Sequence, residues 1–307
     1  MSACPGAEAA GMPTSNGPLS CGMLSAAMDR RSFLIASATA PLAGAQTAAP
    51  QATAPGFQLG CVTYNLLQNM DLESIIKTLE ATGIAAVELR TGHKHGVEPT
   101  LNPDERARVR ERFQKSKVRL LSFGSTCEFQ APDAAIRRKQ LDTGKAFVDL
   151  ARDTGALGVK VRPNGLPGSV PYATTIGNIA AGIRELAAYA EASHVEIWME
   201  VHGKETQEPK IAAEILSTVD HKNAGACWNS NPTDVKNGSV RHAFDLLKPY
   251  IRNVHINDLY SDYPWREFFH LLRASGYRRY TLAEVAESPE PERFLRYYKA
   301  LWQQLSA

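Results

Sequence analysis

Short apolar runs alternate with amphipathic stretches from Phe57 to the end of the chain. After the first run, leucines and isoleucines over residues 71–82 recur at the spacing of one helical face. The pattern predicts eight strands, over residues 58–63, 85–89, 118–123, 156–162, 196–200, 224–228, 251–256 and 280–285. It predicts a helix after each strand, over residues 71–82, 104–115, 134–154, 176–193, 210–219, 240–248, 264–275 and 291–304.

This alternation predicts an α/β protein of the (β/α)8 TIM barrel class, with residues 57–307 as a single domain. An open, doubly wound sheet of eight strands is the alternative. Such a sheet favours a glycine-rich phosphate loop after its first strand, whereas Thr63-Tyr64-Asn65 stands there. The barrel is therefore the preferred interpretation.

Four polar residues stand at the ends of the last four predicted strands: Glu200, Asn229, His255 and Glu284. Subtracting their positions gives gaps of 29, 26 and 29 residues, each about one strand–helix unit. The carboxyl ends of barrel strands meet on one face, so the four side chains are expected at one site. Two carboxylates, an imidazole and an amide oxygen suit one divalent ion: Mn²⁺, Mg²⁺, Co²⁺, Fe²⁺ or Zn²⁺. A lone glutamate can instead pair with an arginine, but the joint placement favours metal ligation.

Other polar residues near strand ends are candidates for substrate binding. His202 lies two residues past Glu200, on the same face if the strand continues. Glu88 and Arg162 end the second and fourth strands, and Tyr64 follows the first. Each has a structural alternative. Arg90, just beyond Glu88, is a further candidate, and the two can instead form a mutual ion pair. His202 can make a structural hydrogen bond.

Composition restricts the classes of partner. The 307 residues carry a net charge of +2, which gives no electrostatic argument for binding nucleic acid or acidic lipid. No apolar run is long enough for a membrane span in the mature chain. The chain contains no C-x-x-C pair, and Cys61 and Cys227, which lie within or beside apolar runs, are predicted to be buried thiols.

The N-terminal segment has the features of a targeting sequence. Twin arginines, Arg30 and Arg31, precede a short apolar region that ends in Ala43-Gly44-Ala45, a small-x-small cleavage pattern. Residues 28–45 therefore resemble a twin-arginine export signal, and we expect an exported, periplasmic protein. A chance arginine pair in an alanine-rich leader is the alternative.

The segments on either side of this signal are assigned from composition. Residues 1–27 fit no part of a signal and are predicted to be a disordered extension. Met28 is a candidate for the true start of the chain. Residues 46–56 are predicted to be a linker to the barrel.

Several short motifs resemble one known family. Residues 57–307 resemble the sugar phosphate isomerase/epimerase superfamily, also described as xylose isomerase-like TIM barrels. The resemblance rests on V-E-L-R at 87–90, W-M-E-V-H-G-K at 198–204, C-W-N-S-N at 227–231, N-V-H-I-N-D at 253–258 and L-A-E-V at 282–285.

The resemblance implies one divalent metal held by Glu, Asp, His and Glu at the ends of strands five to eight. These positions match Glu200, Asn229, His255 and Glu284. It also implies proton transfer on a sugar through an enediolate, with Glu200 and Glu284 as the catalytic residues. The chain departs from the family at Asn229, where an aspartate is usual, and at Pro232, where a substrate-contacting histidine often stands. An amide brings no charge, so metal affinity should fall or metal choice shift.

The expected function is a metal-dependent carbohydrate isomerase or epimerase, with a small carbohydrate as partner. The same enediolate gives elimination when a β-oxygen leaves, so a keto-sugar or keto-glycoside lyase or dehydratase is one alternative. A non-catalytic sugar-binding barrel is another, kept open by Asn229. A nuclease of the apurinic endonuclease type shares the barrel but needs three zinc ions and a basic face, which 8 histidines and balanced charge do not supply. Assembly into a homo-oligomer stays open.

Overall fold

The computed structural model describes residues 56–307, which form eight strands and eight α-helices in alternation, with one short 3-10 helix at Pro232–Asp234. The strands are β1 (Gln58–Val62), β2 (Ala86–Arg90), β3 (Arg119–Glu128), β4 (Gly158–Arg162), β5 (Glu196–Glu200), β6 (Ala224–Asn229), β7 (Ile251–Ile256) and β8 (Tyr280–Ala283). The helices are α1 (Leu72–Thr82), α2 (Pro103–Gln114), α3 (Ala134–Thr154), α4 (Tyr172–Glu191), α5 (Pro209–Val219), α6 (Arg241–Leu247), α7 (Trp265–Ala274) and α8 (Pro291–Ser306).

All eight strands are parallel and pair in chain order, and β1 pairs with β8 to close the barrel. The closed sheet confirms the predicted (β/α)8 barrel and leaves no open edge. The segments assigned to an extension, an export signal and most of the linker lie outside the described residues. Within the described part of the chain, no helix is long and apolar enough to cross a membrane.

The helix boundaries follow from local capping. Asp71 caps α1 by accepting a hydrogen bond from the Ser74 backbone N–H at 2.8 Å, and Gly83 ends the helix in the left-handed conformation with φ 64°. Helix α4 begins at Tyr172, four residues before its predicted start. Pro171 directly precedes the helix, where its missing N–H costs no helical hydrogen bond, whereas the apolar face begins only at Ile176, so periodicity alone places the start too late.

The barrel has two apolar layers. The outer layer lies between the sheet and the helices and contains most of the buried side chains. The inner layer fills the barrel below the strand ends and consists of Val62, Ala86, Leu121, Trp198, Cys227 and Leu282. Cys61 and Cys227 are buried free thiols, as predicted. The inner layer closes the barrel from below, so polar groups above it face a cavity open at the carboxyl ends of the strands.

Candidate metal and substrate site

Glu200, His255 and Glu284 converge at the carboxyl ends of β5, β7 and β8. One ligand atom from each lies within 4.8 Å of the other two. The Nδ1 atom of His255 is 3.2 Å from Glu284 Oε2 and 3.5 Å from Glu200 Oε1. Asn229 ends β6 and lines the same cavity. The four strand-end residues therefore share one site.

The far side of His255 is also occupied by a carboxylate. Its Nε2 atom is 3.4 Å from Glu88 Oε1, and neither atom has a hydrogen-bond partner. Glu88 is fully buried, accepts a 2.8 Å hydrogen bond from Ser122 Oγ and does not line the cavity. A carboxylate behind a ligating imidazole fixes the orientation of that ring in many metal sites. Glu88, which the sequence offers as a substrate contact, therefore lies beneath His255 and outside the cavity wall in this structure.

Lys160 is a charged member of the site that the strand-end pattern did not single out. Its ammonium lies 2.6 Å from Glu200 Oε2, and both side chains are almost fully buried. Lys160 also lines the cavity. Because the ammonium takes one oxygen of Glu200, the other oxygen, which faces His255, is the one available to a metal.

The charges in this centre stabilise one another. Burial alone would raise the pKa of Glu200, but Lys160 and His255 bring it well below its usual range. Burial alone would lower the pKa of Lys160, but Glu200, Glu88 and Glu284 raise it above its usual value. Burial also opposes charge on His255, yet Cys227 and the carboxylates of Glu88 and Glu284 raise its pKa well above 6.5. A ligating imidazole is neutral, so a bound metal and the neighbouring carboxylates act on the His255 proton in opposite directions.

The residues present fit a divalent ion. Two carboxylate oxygens, an imidazole nitrogen and an amide oxygen belong to the donor set of such ions. The carboxylate of Glu88 behind His255 supports this assignment. The amide of Asn229 can supply an oxygen but no charge.

A cavity of about 340 Å³ opens above the centre. Three of the residues predicted to bind substrate, Tyr64, Arg162 and His202, lie in its wall. His202 presents a buried Nδ1 atom with no hydrogen-bond partner. The Nη2 atom of Arg162 donates a 2.6 Å hydrogen bond to Glu128 Oε1, so its charge is compensated.

The sequence matches a known family over most of this barrel. The profile described as xylose isomerase-like TIM barrel matches residues 76–300. The chain belongs to this family. The resemblance stated from the five motifs is thereby confirmed.

Solved structures of the same fold include several enzymes. A 3-keto-D-glucoside 4-epimerase from E. coli superposes with a TM-score of 0.66 at 12% identity, covering 81% of this chain and 99% of that chain. The IolI protein with a bound zinc atom gives 0.64 at 18% identity, covering 81% and 96%. The probable 3-DHS dehydratase from Bacillus anthracis gives 0.63 at 11% identity, covering 81% and 99%. At these identities the likeness establishes a shared fold. No curated protein sequence matches the chain.

The strand-end pattern does not identify two further charged residues of this xylose isomerase-like barrel, Lys160 and Glu128. Lys160 lies in V-K-V-R, two residues before Arg162 and on the same strand face, so alternation could have placed it inside the barrel. Glu128 lies beyond the predicted end of β3, which continues to Glu128 through an irregular register after Gly124. No sequence signal marks that extension, because a bulge interrupts the alternation of side chains.

Proposed function

We propose that this chain is a metal-dependent carbohydrate isomerase or epimerase that moves a proton through an enediolate. The observation that carries the proposal is the convergence of Glu200, His255 and Glu284 within 4.8 Å at a cavity that Asn229 also lines. The IolI protein of the same fold binds zinc, which supports a metal at such a site. The keto-glucoside epimerase supports sugar chemistry on this scaffold.

Glu200, Asn229, His255 and Glu284 would hold the metal, and Glu88 would orient His255. When bound, a divalent ion polarises a carbonyl and an adjacent hydroxyl and lowers the energy of an enediolate. Glu284 and Glu200 exchange protons with the carbons next to the carbonyl. When a carboxylate takes the proton from carbon, the C–H electron pair moves into the new carbon–carbon double bond and the carbonyl electrons move to oxygen.

Lys160 has two roles in this scheme. It fixes one oxygen of Glu200 and thereby sets the direction of the other oxygen. It also places a buried positive charge in the cavity wall, where negative charge develops on the substrate oxygens. Such a fixed charge lowers the energy of an anionic intermediate without reorganisation of solvent.

A lyase or dehydratase is the second candidate. The dehydratase of the same fold favours it, and the chemistry differs only in the fate of the enediolate. If the substrate carries a leaving oxygen on the β-carbon, the electron pair expels that oxygen instead of recovering a proton. The residues of the site serve both outcomes.

Deuterium incorporation tests the proposal. The chain is incubated with Mn²⁺ in D₂O and a panel of free and 3-keto sugars, and C–H exchange is followed by NMR. Exchange without loss of water indicates an isomerase or epimerase, whereas loss of water or of the aglycone indicates a lyase. We expect Glu200→Gln and Glu284→Gln each to reduce exchange by about 10² to 10⁴.

The matched control is Glu287→Gln, which removes an exposed carboxylate three residues after Glu284. This variant should keep full exchange. Full exchange in Glu200→Gln would contradict the proton-transfer role of that residue. Purified chain holding less than about a tenth of an equivalent of any divalent ion, with no added metal retained, would favour a non-catalytic barrel.

A further inference from the structure

Arg90 lies in the cavity wall above the proposed metal centre. Alternate residues of β2 point into the barrel: Ala86 packs in the inner apolar layer, Glu88 faces His255, and Arg90 lines the cavity. Arg90 is thus two residues beyond Glu88, about 7 Å further along the strand toward the mouth. Arg90 therefore lies nearer the barrel mouth than Glu88, in the wall of the cavity that Glu200 and Glu284 also line.

The backbone of Arg90 is fixed on both sides. Its N–H donates to Thr63 Oγ1 at 3.0 Å, and its carbonyl accepts from His95 Nε2 at 2.9 Å. The tautomer of His95 follows from its other nitrogen, because Nδ1 accepts the Val97 N–H at 3.0 Å. Both nitrogens of His95 are therefore used for structure, and Arg90 starts from a rigid position.

The guanidinium of Arg90 is also held in place. Its central carbon lies 5.5 Å from the centroid of the Tyr64 ring, a cation–π arrangement. Tyr64 in turn stacks on His93 at a centroid distance of 6.1 Å. Burial and the charge of Arg90 lower the pKa of His93 to about 4, so this imidazole is neutral at physiological pH. The ring stack supports the guanidinium without adding a competing charge.

The charge of Arg90 has no carboxylate partner among residues 56–307. Glu88, the nearest acid in sequence, faces His255, and Glu98 accepts its hydrogen bonds from Thr91 and Gly92. Within the described part of the chain, the one side-chain hydrogen bond of Arg90 runs from Nη1 to the carbonyl of Thr91 at 2.8 Å. Arg162, in the same cavity, is paired with Glu128. Arg90 therefore keeps most of its five donors for a ligand.

We propose that Arg90 binds a carboxylate on the substrate, so that the cavity takes an acidic sugar in preference to its neutral counterpart. This inference rests on the proposed function and names its substrate class. A guanidinium binds a carboxylate through two parallel hydrogen bonds, which neutral hydroxyls cannot match in charge. With its reacting carbons at Glu200 and Glu284, a sugar acid would direct its carboxylate toward Arg90.

Paired sugars test the carboxylate subsite. D-glucuronate is compared with D-glucose, and D-galacturonate with D-galactose, by isothermal titration calorimetry of the chain with Mn²⁺. We expect at least one acid to bind tenfold or more tightly than its neutral partner. Arg90→Gln should abolish that preference by weakening the acid tenfold or more and the neutral sugar less than twofold. Arg90→Lys should restore only part of it, because an ammonium is a point charge without the planar fork.

Lys94→Gln is the matched control, because Lys94 is an exposed cation in the loop after β2, four residues beyond Arg90. It should keep the preference for the acid. Equal affinity for each acid and its neutral partner would overturn the carboxylate subsite. So would a preference that survives Arg90→Gln or that Lys94→Gln removes.

Deuterium exchange on the same sugars separates this proposal from the proposed function. Binding of acids that depends on Arg90, with no exchange of any sugar, would support the subsite and count against the isomerase or epimerase. Exchange of neutral sugars as fast as acidic ones would support the enzyme and overturn the acid preference.

Discussion

The centre of the site is balanced by charges that are close together in space and far apart in sequence. Glu88, Glu200 and Glu284 bring three negative charges, and the ammonium of Lys160 neutralises one of them. The two that are left equal the charge of one divalent ion when His255 is neutral. Asn229 fits this balance, because an aspartate there would leave a negative charge in excess. The neutral side chain of Asn229, where the family usually has an aspartate, therefore agrees with the net charge that the other residues give the site.

Asn229→Asp should tighten metal binding. The added carboxylate would face the same cavity and raise the attraction for a divalent ion, and the number of charged ligands is a main determinant of such affinities. We expect the dissociation constant for Mn²⁺ to fall about tenfold, measured by competition with a chelating dye. Asn257→Asp, which adds the same charge elsewhere in the cavity wall, should change it less than threefold. Equal effects of the two variants would argue against ligation through position 229.

For individual residues, the sequence predicts the polar side chains at the strand ends. It does not predict the charged residues that hold them in place. Glu200, Asn229, His255 and Glu284 were found because each ends an apolar run, and the fold brings strand ends together. The roles of Lys160 and Glu88 depend on partners 40 and 167 positions away, which no local pattern specifies. For Glu88 and Arg90 the sequence leaves open substrate contact or a mutual ion pair. In the structure Glu88 faces His255, and Arg90, two residues further along β2, lines the cavity.

The elements of the barrel could be predicted almost completely from periodicity. Helix α3 and strands β5 and β7 have the predicted bounds, because apolar spacing marks all three and Gly155 ends α3. Strand β3 could not be predicted beyond residue 123. Its continuation depends on pairing with β4 after an irregular register, a tertiary effect.

The inner layer of the barrel depends on a small residue in β4. A Cβ atom added to Gly158 would lie 2.6 Å from the Trp198 ring, which is fully buried. Gly158→Ala should therefore lower the free energy of unfolding by about 1–3 kcal/mol, because the ring cannot move within a filled core. Urea unfolding followed by circular dichroism measures the change.

Gly177→Ala is the control for this prediction. Gly177 lies in α4 with no atom within 4 Å of an added Cβ, and alanine is the better helix former. It should raise stability by roughly 0.5–1 kcal/mol. A Gly158→Ala variant as stable as the unchanged chain would contradict this prediction. It would show that the Trp198 ring can shift within the inner apolar layer, above which Lys160 and Glu200 lie.

For the whole molecule, the closed barrel accounts for residues 57–307, and the segment before it is the part whose role stays a prediction. A twin-arginine signal carries folded proteins, and a barrel that folds before transport would suit that route. The prediction rests on Arg30, Arg31 and the small-x-small pattern at Ala43-Gly44-Ala45. These residues lie outside the part of the chain that the structure describes, so only an experiment on the full chain tests it.

Arg30→Lys combined with Arg31→Lys should keep the protein in the cytoplasm of a host with twin-arginine transport. The substitution keeps both positive charges, so a loss of export would depend on the arginines themselves and not on net charge. Cell fractionation and immunoblotting of the full chain give the measurement, and the unchanged chain should appear in the periplasm. Arg108→Lys with Arg110→Lys, two exposed arginines of α2, is the matched control and should be exported normally. Export of the Arg30 and Arg31 variant at the normal level would show that export does not depend on the arginine pair. Retention of the unchanged chain in the cytoplasm would leave the leader as a chance pattern, and the sugar would then have to be met inside the cell.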